Sequence, residues 1–276
     1  MSTTQTKSGL ATIGNARIYY EIAGAGEPFV MIHAGVADNR QWNNEFAYFA
    51  EKFRVVRYDM RGYGKSEPVE GDFSHLGDLI ALLDYLELQQ PLVIMGCSMG
   101  GGLAMDFTLT QPSSVKALIM VDSGPGGLEL DVPTPAKFAE AEKAYNAGEL
   151  DLVAEIETQI WFDGAGRTPG QVDQTMRRLA YEMNRNALSL DARQLGKCLP
   201  NTQSSAAGRL PEIDVPVLVI VGAHDTPYML AAADTMAAKL RNARKVIIED
   251  AAHLPNMDHP KEFQRSIEAF LDDLPR

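Results

Sequence analysis

The chain has 276 residues, 45% of them hydrophobic and 22% charged, enough for one large α/β domain or for a core domain with an insertion. A formal net charge of −12 argues against nucleic acid and anionic membrane surfaces as partners, since both are bound through basic patches. Two cysteines, Cys97 and Cys198, are too few for a disulfide framework, and their spacing matches no zinc pattern. The polar start "MSTTQTKSGL" lacks the apolar stretch of a secretory signal, and no apolar run approaches the roughly 18 residues that span a bilayer. A soluble, cytoplasmic protein is expected.

The first half alternates two kinds of segment. "ARIYYEIAG" (16–24) is rich in β-branched and aromatic residues and predicts a strand, and "GAGEP" turns the chain. "PFVMIHAG" (28–35) is a short apolar run of the kind found in buried strands. "DNRQWNNEFAYFAEKF" (38–53) has helical spacing, with Asp38 placed as its cap. "RVVRYDM" (54–60) predicts strand, "DFSHLGDLIALLDYLEL" (72–88) helix, "PLVIMGC" (91–97) strand, and the residues after Ser98 helix. "VKALIMVDS" (115–123) closes the series. Such alternation implies a parallel sheet covered by helices on both faces.

The pattern then breaks, because no strong buried strand occurs until about Ser205 and the intervening sequence predicts helices. It resumes with "VPVLVIVGAHD" (215–225), the helix "PYMLAAADTMAAKL", the strand "ARKVIIED" (243–250) and the helix "PKEFQRSIEAFLDDL". The expected organisation is a core of residues 1–124 and 206–276 and a helical cap of residues 125–205 over the C-terminal edge of the sheet.

In "VIMGCSMGGGLAM" (93–105), Ser98 stands among glycines between a predicted strand and a predicted helix. A sharp strand-to-helix turn strains its middle residue, and Gly96 and Gly100 relieve the crowding around it. The helix N-terminus supplies unpaired N–H groups and positive potential beside the hydroxyl. Serine needs a base to act as a nucleophile. Of the five histidines, His253 follows the last strand at the same sheet edge, where open α/β sheets bind ligands. The base in turn needs an acid. Asp225 ends the strand at 215–225, while Asp122, ending an earlier strand, reaches the same edge. The order Ser98, Asp225, His253 is that of the nucleophile, acid and base in one known arrangement.

These motifs together make the chain resemble the α/β-hydrolase fold superfamily over essentially its whole length. "HAGVADNRQW" is similar to the family's histidine-glycine loop, "YDMRGYGKS" to its D-x-R-G-x-G-x-S segment and "GCSMGG" to its nucleophile elbow. "VGAHD" and "AAHLPNMDHP" are similar to its acid and histidine segments. The resemblance is greatest to the capped esterase, enol-lactonase, perhydrolase and C–C-hydrolase branches. Dehalogenase and epoxide hydrolase relatives carry aspartate as nucleophile, so Ser98 separates the chain from both. The resemblance implies an oxyanion hole from the backbone N–H groups of Gly35 and Met99, although Ala34 follows His33 where the family often has glycine. His33 is expected to be structural, its ring bonding loop backbone, and not a catalytic base.

Hydrolysis of a carboxylic ester or lactone, a small-molecule substrate, through an acyl-enzyme is therefore expected. C–C cleavage or perhydrolysis on the same residues, or a small-molecule receptor on this scaffold, are the alternatives. Val36, Trp161, Phe162 and Leu254 are the candidate pocket residues. Cys97 is expected to point into the core. "YDMRGYGKS" lacks the first glycine of a phosphate loop, and no G-x-G-x-x-G follows a strand, so no cofactor is expected.

Overall fold

The computed structural model describes residues 5–88 and 91–274. Strands β1 (Lys7–Ile13), β2 (Ala16–Ala23), β3 (Pro28–Ile32) and β4 (Arg54–Tyr58) come first, with helix α1 (Asn43–Phe49) between β3 and β4. The short strand β5 (Asp72–Phe73), helix α2 (His75–Tyr85), strand β6 (Leu92–Cys97), helix α3 (Met99–Thr110) and strand β7 (Val115–Val121) follow. Helices α4 (Lys137–Asn146), α5 (Leu150–Thr158) and α6 (Gln174–Asp191) precede strands β8 (Lys197–Cys198) and β9 (Val217–Gly222). The chain ends with α7 (Pro227–Lys239), β10 (Ala243–Ile248), α8 (Pro255–Asp258) and α9 (Pro260–Asp272).

Eight strands form one sheet in the order β1-β2-β4-β3-β6-β7-β9-β10. β1 and β2 pair antiparallel, as do β2 and β4, and every later pairing is parallel. Side chains alternate across the sheet, so successive residues enter opposite layers. Val30, Ile32, Ile94, Leu118 and Val219 pack with Leu79 of α2, Leu103 of α3 and Met236 of α7. Phe29, Met31, Val93, Ile119 and Leu218 pack on the other face with Phe46 and Phe49 of α1 and Phe263 and Ile267 of α9. Continuous apolar runs such as "PFVMI" are what a strand covered on both faces requires.

Residues 38–53 differ from the single helix expected. Residues 39–42 form a 3-10 turn and α1 runs only from Asn43 to Phe49, because Asp38 accepts from Arg40 N–H and starts the tighter turn. β1 is an addition to the expected strands.

Between β7 and β9 the alternation is interrupted by α4, α5 and α6, whose own apolar contacts join Ala141, Ala144, Val153, Ile156 and Ile160. α5 ends in a π-helical stretch, Gln159–Asp163. These segments touch loops at the C-terminal ends of the strands. Arg167 pairs with Asp258 at 2.6 Å, Asn186 Nδ2 donates to Gly64 O at 3.4 Å, and His253 N–H donates to Trp161 O at 3.1 Å. Strands β5 and β8 form a separate two-stranded ladder. Among the described residues, no helix is long and apolar enough to cross a membrane.

Candidate active site

The glycines around Ser98 answer to both tight turning and close approach. Ser98 has φ 53° and ψ −117°, a left-handed conformation rare outside glycine. The turn folds α3 back against β6 and β3. A Cβ on Gly96 would overlap Gly100 O, and one on Gly100 would lie 2.5 Å from Ile32 O. Ser98 is pinned through its backbone: its N–H donates to Val121 O at 2.9 Å and its carbonyl accepts from Ser123 Oγ at 2.6 Å. Its hydroxyl makes no hydrogen bond among the described residues.

His253 and Asp225 meet. His253 Nδ1 lies 2.7 Å from Asp225 Oδ2, and both residues are 1% exposed. The second carboxylate oxygen of Asp225 accepts from Thr226 N–H at 2.6 Å, which fixes the plane of the group. The indole of Trp161 lies against the imidazole with ring centres 4.4 Å apart. The loop of His253 also touches the elbow, since Cys97 Sγ is 3.4 Å from His253 O. Cys97 is fully buried, and burial pushes its thiol well up. It occupies the core below the turn.

Asp122, the alternative acid, is next to this pair without touching the imidazole within hydrogen-bond range. One oxygen accepts from Gly222 N–H at 2.8 Å, and the other is buried with no donor. Burial, reinforced by the Asp225 charge, raises its pKa well above the carboxylate range. Ligand atoms of Asp122, Asp225 and His253 all lie within 4.8 Å of one another, close enough to suit an ion. The 2.7 Å separation of His253 and Asp225 is that of a hydrogen bond, and a proton on Asp122 relieves the repulsion between the two carboxyls. A proton account therefore suffices for the cluster.

His33 uses both ring nitrogens on backbone. Nδ1 is 2.7 Å from Ala34 O, and Nε2 accepts from Met60 N–H at 3.0 Å. That pattern requires the neutral tautomer with the proton on Nδ1, and burial lowers its pKa. The ring is a structural support for the loop at 33–36. Asp59 ties the same loops, accepting from Asn39 and Lys65 N–H groups at 2.8 Å each. Arg61 is paired with Asp78. Gly35 lies against the elbow, and a Cβ built on it would sit 3.7 Å from Met99. That is ordinary contact, so space does not demand glycine there.

Sequence reasoning missed the network that joins the loop after β3 to the loop of His253. Ala34 N–H donates to Gln41 Oε1 at 2.9 Å, and Gln41 Nε2 reaches Asn256 Oδ1 at 3.4 Å. Asn256 Nδ2 donates back to Gln41 O at 2.7 Å and to Glu45 Oε2 at 3.0 Å. The available signal was a set of polar residues on the buried side of "NRQWNNE" and a buried asparagine three positions after His253.

Val36, Trp161, Phe162 and Leu254 do come together, around a gap of about 10 Å³. That is at the lower limit for one water, and Phe162 is 1% exposed within the core. A larger cleft of about 350 Å³ opens beside it. Of the four, it takes only Val36. The cleft begins at Gly35 and Val36 and passes Tyr63, whose hydroxyl is 3.9 Å from Met99 Sδ. It runs on between Arg61 and His75 on one wall and Glu157 and Asn184 on the other. Glu157 was not foreseen, since one carboxylate on an amphipathic helix has no signature.

Several known proteins are similar to this chain in sequence and fold. The chain is 28% identical over 273 residues to a 2-hydroxy-6-oxononadienedioate/2-hydroxy-6-oxononatrienedioate hydrolase of Paraburkholderia xenovorans, covering 94% of this chain and 91% of that protein. It is 26% identical to 3-oxoadipate enol-lactonase 2 of Acinetobacter baylyi, covering 92% of each. Among solved structures, the bromoperoxidase from Bacillus anthracis superposes with a TM-score of 0.80 at 25% identity over 97% of this chain and all of that one. Residues 27–260 match the profile of the alpha/beta hydrolase fold family. With that match spanning the elbow, the buried Asp225–His253 pair and the loop at His33, the chain belongs to the α/β-hydrolase fold family of enzymes.

Proposed function

We propose that this protein is a serine hydrolase of carboxylic esters or lactones that works without a cofactor. The observation that carries the reading is the 2.7 Å bond between His253 and Asp225, buried at the sheet edge where Ser98 holds its strained turn. Ser98 Oγ attacks the carbonyl carbon while His253 Nε2 takes its proton. Asp225 keeps the other imidazole proton on Nδ1 and stabilises the imidazolium. The N–H groups of Gly35 and Met99 receive the oxyanion, an interaction worth several kcal/mol of barrier in such sites. His253 then protonates the departing alcohol, and water activated by the same ring releases the acid. The helices between residues 125 and 205 serve as a lid that excludes water from this edge.

The test is direct. Ser98→Ala is expected to lower kcat on short 4-nitrophenyl esters by up to ~10⁶-fold with folding intact, and a fluorophosphonate to label Ser98 alone. Full activity in the variant, or labelling at Cys97, refutes the assignment. Cleavage of a carbon–carbon bond beside a carbonyl is the second reading, favoured by the name of the Paraburkholderia relative. Turnover of a vinylogous diketone in preference to all esters selects it.

A further inference from the structure

The cleft of about 350 Å³ beside Gly35 has an unbalanced set of charges. Arg61 is the only lysine or arginine among its described lining residues, and its charge is already matched. Its Nε and Nη2 donate to the two oxygens of Asp78 at 2.8 and 2.6 Å, with both side chains buried. His75 adds no charge near neutral pH, because burial first, then His33 and Arg61, brings its pKa down to about 4. Two more carboxylates line the opposite wall. Glu157, half-buried on α5, accepts from Asn184 Nδ2 at 2.8 Å, and Asp191, exposed at the end of α6, accepts from Tyr145 Oη at 2.6 Å. Neither has a cationic partner among the described residues. Glu157 also borders the small gap with Val36, Trp161 and Leu254, where the cleft meets the indole that lies against His253.

Resting on the hydrolase reading above, we propose that this cleft selects an uncharged ester or lactone and rejects substrates bearing a second carboxylate, with Glu157 and Asp191 as the rejecting residues. An anionic end seated here meets like charge in partly desolvated surroundings, with no free cation to offset it. Specificity of this kind comes from repulsion of the wrong substrate more than from attraction of the right one.

The experiment compares two 4-nitrophenyl esters of suberic acid on the full chain, one with its far end a methyl ester and the other a free carboxylate, each rate taken after subtracting release without protein. The buffer is held at about pH 8, well above the ordinary carboxylate range. The methyl ester is expected to have a kcat/KM at least roughly tenfold higher. Glu157→Gln, which keeps an acceptor for Asn184, and Asp191→Asn are each expected to narrow that ratio by raising turnover of the anionic ester. A ratio at or below one in the natural protein overturns the proposal, as does a ratio unmoved by both substitutions. If Glu157→Gln fails to fold, the exposed Asp191 position still carries the test. Failure of the hydrolase reading has a separate signature, namely 4-nitrophenol release that survives Ser98→Ala.

Discussion

Glu45 should make the stability of this enzyme depend on pH in a way that a single substitution removes. Its carboxyl is fully buried, and burial raises its pKa to about 7 against the donating effects of Asn256 and Gln264. The unfolded chain ionises this group near 4.5, so the folded state binds the extra proton between the two values. The contribution is therefore complete below about pH 4.5 and is lost as pH rises through about 7. A shift of that size corresponds to about 3 kcal/mol at 1.4 kcal/mol per unit. Glu45→Gln cannot ionise. Its oxygen can still accept from Asn256, and Gln264, which is partly exposed, can turn its amide to accept the new N–H. Urea unfolding of both proteins at several pH values isolates the effect, since the other buried acids contribute equally to each. The variant is expected to match the natural protein near pH 4.5 and to exceed it by about 3 kcal/mol above pH 7. Parallel stability curves would refute the reasoning, because Glu45 would then be ionised in the folded protein without penalty.

Asp225→Asn is expected to lower kcat by about 10⁴-fold through the wrong histidine tautomer. Asp122→Asn, whose amide can still donate towards Asp225, should cost less than about tenfold; steady-state rates with the order reversed would move the acid to β7. Gly100→Ala is expected to lose about 3 kcal/mol of stability by overpacking, because its Cβ would meet Ile32 O at 2.5 Å. Gly102→Ala two positions on, with only Gly124 O at 3.8 Å, should gain up to about 1 kcal/mol from helix propensity; thermal or urea unfolding compares them. Trp161→Ala removes the ring against His253 and is expected to lower kcat/KM on acetate, butyrate and octanoate esters in parallel, roughly fivefold. A loss confined to octanoate would make Trp161 a pocket wall instead.

Most of the sheet was legible because β3, β6, β7 and β9 are apolar on both faces, and a run of that kind leaves few alternatives. β1 was not, since it is an edge strand with only Ala11 and Ile13 buried, Leu10 facing out, and it contains Gly9. The elbow was legible because its glycines answer to backbone overlap, a local constraint visible in local sequence. The Asp225–His253 pair followed from two strand ends at one edge. The Gln41–Asn256 contact and the wall carrying Glu157 were hidden because neither depends on neighbours in sequence. Gln41 and Asn256 are 215 positions apart, and no periodicity records a hydrogen bond across that distance. The four pocket candidates sit together, but around a gap too small for a substrate, since sequence gives the proximity of aromatic side chains to a site and not the volume left between them.

The bonds between Gln41, Glu45 and Asn256 also bear on how the protein is made. The loop after β3 leaves the ribosome early, whereas Asn256 emerges more than two hundred residues later. Until then the Gln41 carbonyl, Gln41 Nε2 and the Glu45 carboxyl lack Asn256 as a partner, and the loop that carries Gly35 keeps its local Ala34–Gln41 bond without its far support. Domains generally fold as units during synthesis, and here the loop proposed to hold the oxyanion depends on a residue near the end of the chain. A nascent chain that stops short of α8 contains every strand of the large sheet and still lacks Asn256, the far brace of the loop that carries Gly35.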